Sequence, residues 1–248
     1  MQQVMLVTGA SRGIGAATAR LAAKHGYAVA VNYTSNEAAA AQVVRDIEAA
    51  GSRAFAVRAD VASEADILAM FEQVDKRLGR LTALVNNAGV VDITQRVDEM
   101  SAARLKRMFD INVIGSILCA REAVRRMSTR HGGPGGAIVN VSSAASRLGS
   151  PGQYVDYAAA KGAIDAFTLG LAKEVAAEGI RVNAVRPGLI ETDIHASGGI
   201  PDRVEKLKHH VPMQRGGSAE EVAQAILWLL SPQASYTTMS LVEVSGGR

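Results

Sequence analysis

Tyr157 and Lys161 stand four residues apart in a stretch patterned as a helix, so both side chains leave the same face. A free tyrosine titrates near ~10, and an adjacent ammonium favours the phenolate and lowers that value. The pair therefore offers a general acid/base usable near neutral pH. Many helices carry Y-x-x-x-K, so the spacing alone argues little. Ser143 adds weight, because it follows a β-branched run, Ala137–Val141, at the end where parallel strands meet a ligand crevice. Tyr154 lies close by, but the residue four further on is Ala158, and it reads as a pocket wall.

A second group of residues opens the chain. The run Val4–Val7 leads into Thr8-Gly9-Ala10-Ser11-Arg12-Gly13-Ile14-Gly15 and then into a helical pattern. Glycines there permit a tight turn and a close approach of backbone to a pyrophosphate; the helix N-terminus adds free N–H groups and a positive dipole end. The spacing is G-x-x-x-G-x-G, not the commoner G-x-G-x-x-G, but its place at the head of a first βα unit favours a dinucleotide. The next strand ends Val31-Asn32-Tyr33-Thr34-Ser35, without an acid to accept from a ribose 2′-OH. Glu37 reads instead as a first-turn residue behind an Asn36 cap. Arg12 is free to pair with a 2′-phosphate, and Asn32, Thr34 or Ser35 to hydrogen-bond to it. NADP(H) is favoured over NAD(H).

The elements that must position these groups follow one rhythm. Strands are expected at Val4–Val7, Ala28–Val31, Ala54–Arg58, a run ending Leu84-Val85, Ala137–Val141, Arg181–Val185 and Leu241–Val244. Helices are expected at Gly13–His25, Glu37–Ala49, Glu64–Leu78, Ala102–Met127, from Val155 to about Glu178, and at Ala219–Leu230. Such alternation implies right-handed crossovers and a parallel sheet covered on both faces. The expected fold is α/β, a single-domain doubly wound parallel sheet of about seven strands spanning residues 1–248. Residues 188–215 break the rhythm with glycines, prolines and short helical pieces, as a substrate lid does. The Gly-rich segment His131–Gly136 reads as a loop at the edge away from the site.

The composition sets the limits of function. Of 248 residues, 48% are hydrophobic and only 4% aromatic, so the core must be built from Ala, Val, Leu and Ile. The net charge of +3 is spread along the chain, which disfavours a nucleic-acid partner. Its densest group, Arg121, Arg125, Arg126 and Arg130, closes a helix and suits the dipole there. The single cysteine, Cys119, cannot form an internal disulfide and lies in an apolar helical stretch. The five histidines show no metal-ligand spacing. No signal peptide or membrane-spanning run is read, and a cytoplasmic protein is expected.

Taken together, the glycine loop, Asp60-Val61, Asn86-Asn87-Ala88-Gly89, Asn112, Ser142-Ser143, Tyr157-x-x-x-Lys161 and Pro187-Gly188 followed by Thr192 resemble the classical short-chain dehydrogenase/reductase family of Rossmann-type proteins. Within it the sequence is most similar to bacterial glucose/ribitol dehydrogenase-like oxidoreductases. The matching pieces keep the family's order along nearly the whole chain. The resemblance implies that Ser143 polarises the substrate oxygen, that Tyr157 exchanges its proton, and that Lys161 binds the nicotinamide ribose and depresses the Tyr157 pKa. It implies that Asn112 holds a water linking Lys161 to solvent. Cofactor contacts would come from Gly9, Ser11, Arg12, Gly13, Ile14 and Gly15, from Asn32 and Thr34, and from Asp60 and Val61 at the adenine. Asn87 and Gly89 would line the ribose, and Pro187, Gly188, Ile190 and Thr192 would hold the carboxamide.

Two departures and several rivals accompany this reading. Ser142 and Ser143 are adjacent, and the family pattern puts the catalytic role on Ser143. Met239 stands where relatives commonly have glycine, at a strain cost if the turn needs positive φ. The lid offers Ile194, His195, His209 and Met213, and the mouth Val90, Val91, Leu148 and Gln153; a ketone, aldehyde, secondary alcohol, polyol or sugar would fit. The alternatives are a 3-oxoacyl-thioester reductase, a non-catalytic cofactor-sensing protein of the same fold, and another Rossmann enzyme such as a methyltransferase. Ala158, Ala159, Ala160, Ala163 and Ala166 allow close helix approach, and a homotetramer is expected, as in family relatives.

Overall fold

The computed structural model describes residues 2–248 and, within them, excludes the side chain of His195. Seven runs rich in Val, Ala and Ile form the strands β1 Gln3–Val7, β2 Tyr27–Tyr33, β3 Ala54–Arg58, β4 Ala83–Asn86, β5 Gly136–Val141, β6 Ile180–Pro187 and β7 Leu241–Val244. They pair in parallel in the order β3-β2-β1-β4-β5-β6-β7. β2 is buried at all its residues, the signature of a strand covered on both faces. The chain reverses direction across the sheet between β1 and β4, and ligands of such sheets bind in the crevice that this switch opens at the strands' carboxyl ends.

The helices cover the two faces. On one side α1 Gly13–Lys24, α2 Glu37–Ala49 and α10 Ala219–Leu230 pack Ala19, Ala22, Val43, Ile47, Val222 and Ile226 against Met5, Val7, Val29 and Val31. On the other, α3 Glu64–Arg77, α5 Gly115–Met127 and α7 Val155–Val175 set Ile67, Phe71, Cys119, Ala123 and Ala172 against Leu6, Ala30, Leu84 and Ile138. Small alanines let helix backbones approach the sheet closely, which compensates for the scarcity of aromatic volume. Asn36, Ser63, Ser101 and Ser218 cap α2, α3, α4 Ala102–Phe109 and α10 through side-chain oxygens.

Two elements differ from the sequence expectation. The helix expected over Ala102–Met127 is interrupted by a π-helical turn, Asp110–Ile114, between α4 and α5. The helix from Val155 ends as α-helix at Val175 and tightens into a 3₁₀ turn, Ala176–Glu178, before Gly179. Short helices α6 Ala145–Leu148, α8 Ile194–Ser197 and α9 Arg203–Leu207 complete the chain. The 188–215 segment is stapled at its base by a parallel bridge between Ile190 and Gly217. Met239 does adopt positive φ, at 65°, in the turn before β7. Among the described residues no helix is long and apolar enough to cross a membrane.

Candidate active site

One cavity of about 450 Å³ opens at the carboxyl ends of the strands. Its lining brings Ser143, Tyr157 and Lys161 together with Ile14, Asn87, Gly89, Pro187, Gly188, Ile190 and Thr192, residues drawn from five separate stretches of sequence. Val91, Leu148, Gln153, Tyr154 and Ile194 also line it. Val90 lies beneath, packed with Met108 and Tyr157. His209 and Met213 are exposed outside the cavity, so the 188–215 segment presents fewer of its side chains there than expected. His195 lies outside the described side chains.

The adjacent serines separate cleanly. Ser142 is buried and donates from Oγ to the Lys161 carbonyl, 3.2 Å away. Ser143 faces the cavity, where its hydroxyl meets the Tyr157 phenol and accepts from the Ala145 N–H at 3.1 Å. Tyr154 is buried as a wall, its hydroxyl donating to the Gly198 carbonyl.

The electrostatics invert one expectation. Burial pushes the Tyr157 phenol up to about 12, against a smaller downward pull from the Ser143 hydrogen bond. Lys161 does not depress it in this state, because its Nζ is turned to the Val141 carbonyl at 2.7 Å and lies 5.6 Å from the Tyr157 ring centroid. Burial instead brings Lys161 itself down to about 8, with Asp165 pulling the other way. Removal of both groups from water opposes charge on either, so each is poised to hold its neutral form more readily than in solvent.

Asn112 sits in the π turn, wholly buried. Its Oδ1 accepts from the Val90 N–H and its Nδ2 donates to the Val90 and Met108 carbonyls, at 3.0–3.1 Å. The amide thus clamps the strand-end loop to the helix. A Cβ on Gly89 would lie 2.7 Å from Asn112 Oδ1 and 3.5 Å from Lys161 Nζ, so glycine is what lets these groups crowd one point.

Comparison with known proteins gives the family. A family model described as "Enoyl-(Acyl carrier protein) reductase" matches residues 9–248. The uncharacterized oxidoreductase YgfF of Escherichia coli K12 is 58% identical over 99% of both chains. A 3-oxoacyl-[acyl-carrier-protein] reductase, FabG, of Staphylococcus aureus is 36% identical over 100% of this chain and 98% of its own. A solved short-chain dehydrogenase of Burkholderia cenocepacia, in complex with NADP, superposes with a TM-score of 0.90 at 31% identity, covering 99% and 97%. The chain belongs to the short-chain dehydrogenase/reductase family. It is an NAD(P)-dependent oxidoreductase.

The cofactor end fits a dinucleotide. Helix α1 has neither a side-chain cap nor an acid in its first turn. Its N–H groups are therefore left for an anion. A Cβ on Gly13, at φ 54°, would lie 3.4 Å from Thr192 Cγ2, so the loop and the 188–192 segment meet over one end of the cleft. Asn87 donates to the Thr8 and Gly9 carbonyls, and a Cβ on Gly15 would lie 2.5 Å from its Nδ2. Gly9, Ser11 and Gly15 shape the loop, while Asp60 and Val61 close β3, Val61 buried and Asp60 exposed.

Asn32 corrects the sequence reading. It is 1% exposed, its Oδ1 accepts from the Gly9 N–H, and its Nδ2 donates to the Val57 and Ala59 carbonyls. It is a strut beneath the loop, not a phosphate ligand. Arg12 is exposed and has no ion pair among the described residues. The residue that sequence reasoning missed is Arg58. Parallel pairing sets it beside Tyr33, and its Nε donates to the Thr34 carbonyl at 3.2 Å. The signal available was only register: a cation at the end of one strand stands beside the loop that follows its neighbour.

Proposed function

We propose that the protein reduces a ketone or aldehyde, or oxidises the matching secondary alcohol, with Tyr157 as general acid/base and NADP(H) as the preferred cofactor. The observation that carries this reading is that Ser143, Tyr157 and Lys161 share one cavity with the residues that close the glycine loop, Ile14 and Thr192. When bound, the nicotinamide supplies or accepts the hydride.

In reduction Ser143 orients the carbonyl oxygen by donating a hydrogen bond, and Tyr157 gives up its proton to that oxygen as negative charge develops there. The upward shift of the phenol suits a proton donor at neutral pH. In oxidation the phenolate must form first, and Lys161, once charged and turned toward it, stabilises that anion. Asn112 and Gly89 hold the loop beside Lys161. Arg12, in the glycine loop, and Arg58, beside Thr34, favour a 2′-phosphate over a free 2′-hydroxyl.

The 188–215 segment serves as the lid of a single Rossmann unit. A homotetramer is supported by an unpartnered face of α7, where Ala159, Ala166 and Leu169 are exposed and a Cβ at Gly162 or Gly170 would meet nothing. Ile114 and Ile117 on the neighbouring helical segments are exposed as well. A cytoplasmic location goes with the single buried thiol, Cys119, which needs no oxidising compartment.

The test is a panel of carbonyls and alcohols with NADP(H) and NAD(H), run on the native protein and on Tyr157→Phe. Turnover lost in the variant, with NADPH binding kept, supports the reading. Undiminished turnover overturns it.

A further inference from the structure

The substrate end of the cavity carries charge that the chemistry described above does not use. Arg203, the first residue of α9, and Arg248 both line it. Leu148, Ser150, Pro151, Gln153 and Tyr154 line the same cavity. The Arg203 guanidinium lies 5.2 Å from the centroid of the Tyr154 ring, and that ring is fixed by its hydroxyl bond to Gly198. The backbone of Arg248 is held by Arg147, whose guanidinium donates to the Arg248 carbonyl at 2.7 Å.

Neither guanidinium has a carboxylate partner among the described residues. Among the described residues no Asp or Glu lines the cavity, while Lys161, Arg203 and Arg248 do. Glu243, the acid nearest in the hydrogen-bond pattern, faces Arg186 at 3.1 Å and Arg147 at 3.6 Å. Arg203 and Arg248 feel one another: Arg248 is brought down from its ordinary value by burial and then by Arg203. Two guanidinium groups that line one pocket with no Asp or Glu side chain among its described lining make a site suited to an anion.

We propose that Arg203 and Arg248 bind an oxyanion carried by the substrate at a distance from its reacting carbon. This rests on the reductase reading above and narrows its substrate to anionic carbonyls and alcohols, in place of neutral sugars and polyols. A planar fork on each arginine matches a carboxylate or a phosphoryl group, and the two sources share this chemistry. The fixed Tyr154 ring limits where the Arg203 fork can lie, so less rotamer freedom is lost on binding.

The experiment compares pairs that differ only in that charge. One arm sets 4-oxopentanoate and 4-oxocyclohexanecarboxylate against their methyl esters. The other sets acetoacetyl-4′-phosphopantetheine against acetoacetyl-pantetheine, the same thioester without phosphate. Each compound is assayed by NADPH oxidation and titrated calorimetrically into the NADP-loaded protein.

The anionic member of at least one pair is expected to be favoured by about tenfold or more, in kcat/KM and in affinity, as charged hydrogen bonds warrant. The arm in which this occurs identifies carboxylate or phosphoryl. Arg203→Gln and Arg248→Gln each reduce the ratio toward unity, and Arg203→Lys restores part of it. Equal use and equal binding of both members in both arms overturns the proposal, as does a preference that survives both variants. Anion binding without turnover would sink the reductase reading and leave the arginine site standing.

Discussion

Lys161 donates from Nζ to the main-chain oxygen of Val141 across 2.7 Å, and so points past the ring of Tyr157. The ammonium is buried, and removal from water lowers it from 10.5 to about 8. A base whose folded value is depressed keeps its charge below that value and loses it as pH rises through it. NADPH affinity is therefore expected to weaken as pH passes through about 8, where Lys161 ceases to be a charged donor. Fluorescence titration from neutral pH upward reads this directly. Lys161→Arg keeps its charge throughout and should remove the break. Adenosine 2′,5′-bisphosphate, which has no nicotinamide ribose, should bind without it in the native protein. A break common to both ligands would place the titrating group elsewhere. Between about 8 and 10.5 the unfolded chain holds more protons at this residue, so its penalty on the ligand-free fold eases as pH rises.

Tyr157 gives the opposite asymmetry. Its phenol, pushed up to about 12, is protonated throughout the neutral range and needs no preparation to act as a donor. Carbonyl reduction is thus expected to be flat below about 8, whereas alcohol oxidation climbs with pH up to about 8 because the phenolate must first form, and stops climbing where Lys161 loses the charge that stabilises it. Tyr157→Phe should lower both by about 10² to 10⁴, the usual scale of a positioned acid or base. Steady-state profiles in the two directions test this; parallel profiles would contradict it.

Much of this site was legible in the sequence because its parts are local. The strand-turn-helix at Gly9–Gly15 and the Tyr157–Lys161 spacing each reduce to a few residues with fixed geometry. All seven strands follow from β-branched runs between helical periods. What stayed hidden depends on contacts across the fold. Nothing in the sequence around Asn32 says that its amide will be spent on Gly9, Val57 and Ala59. The π turn at Asp110–Ile114 has no sequence signal distinct from an α-helix. The direction of the Lys161 side chain is set by the Val141 carbonyl, twenty residues away. Arg203 and Arg248, 45 residues apart, come together only in the fold, where both line the cavity.

On the proposed reading, cofactor choice turns on Arg12 and Arg58. Both are exposed, so the 2′-phosphate contact is expected to be moderate and salt-sensitive. Arg12→Ala and Arg58→Ala should each weaken NADPH binding by about tenfold and leave NADH binding nearly unchanged. Raising the salt concentration should narrow the native preference and leave the double variant unaffected. Calorimetry with both cofactors decides it. A loss shared equally by NADH would mean that the arginines hold the pyrophosphate instead.

The exposed face of α7 predicts the assembly. Leu169 stands among Ala159, Gly162, Ala166 and Gly170, where another helix can approach closely. Leu169→Glu should split the native particle into a smaller one, because a charge at such a seam is buried without a partner. Sedimentation at micromolar concentration checks this. A native protein that already sediments as a monomer would remove the tetramer.

Arg104 and Asp156 supply the strongest test of how the site is held. The pair is buried, with the side chains 7% and 1% exposed, and two contacts of 2.8 and 3.2 Å join guanidinium to carboxylate. Arg104 also donates to the Ile93 carbonyl and to Gln95 Oε1. It thereby ties the loop after β4 and helix α4 to the residue that precedes Tyr157. Removing one partner leaves a charge in the interior without compensation, at a cost of about 3–5 kcal/mol. Replacing both by apolar groups removes the pair and its desolvation cost together, which is often close to neutral. Arg104→Met should therefore lower the urea midpoint strongly, and Arg104→Met with Asp156→Leu should recover most of it. If the pair only stabilises the fold, activity returns with stability in the double variant. If it also aims Tyr157, kcat stays depressed at full stability while KM changes little, and that separation is the outcome expected here.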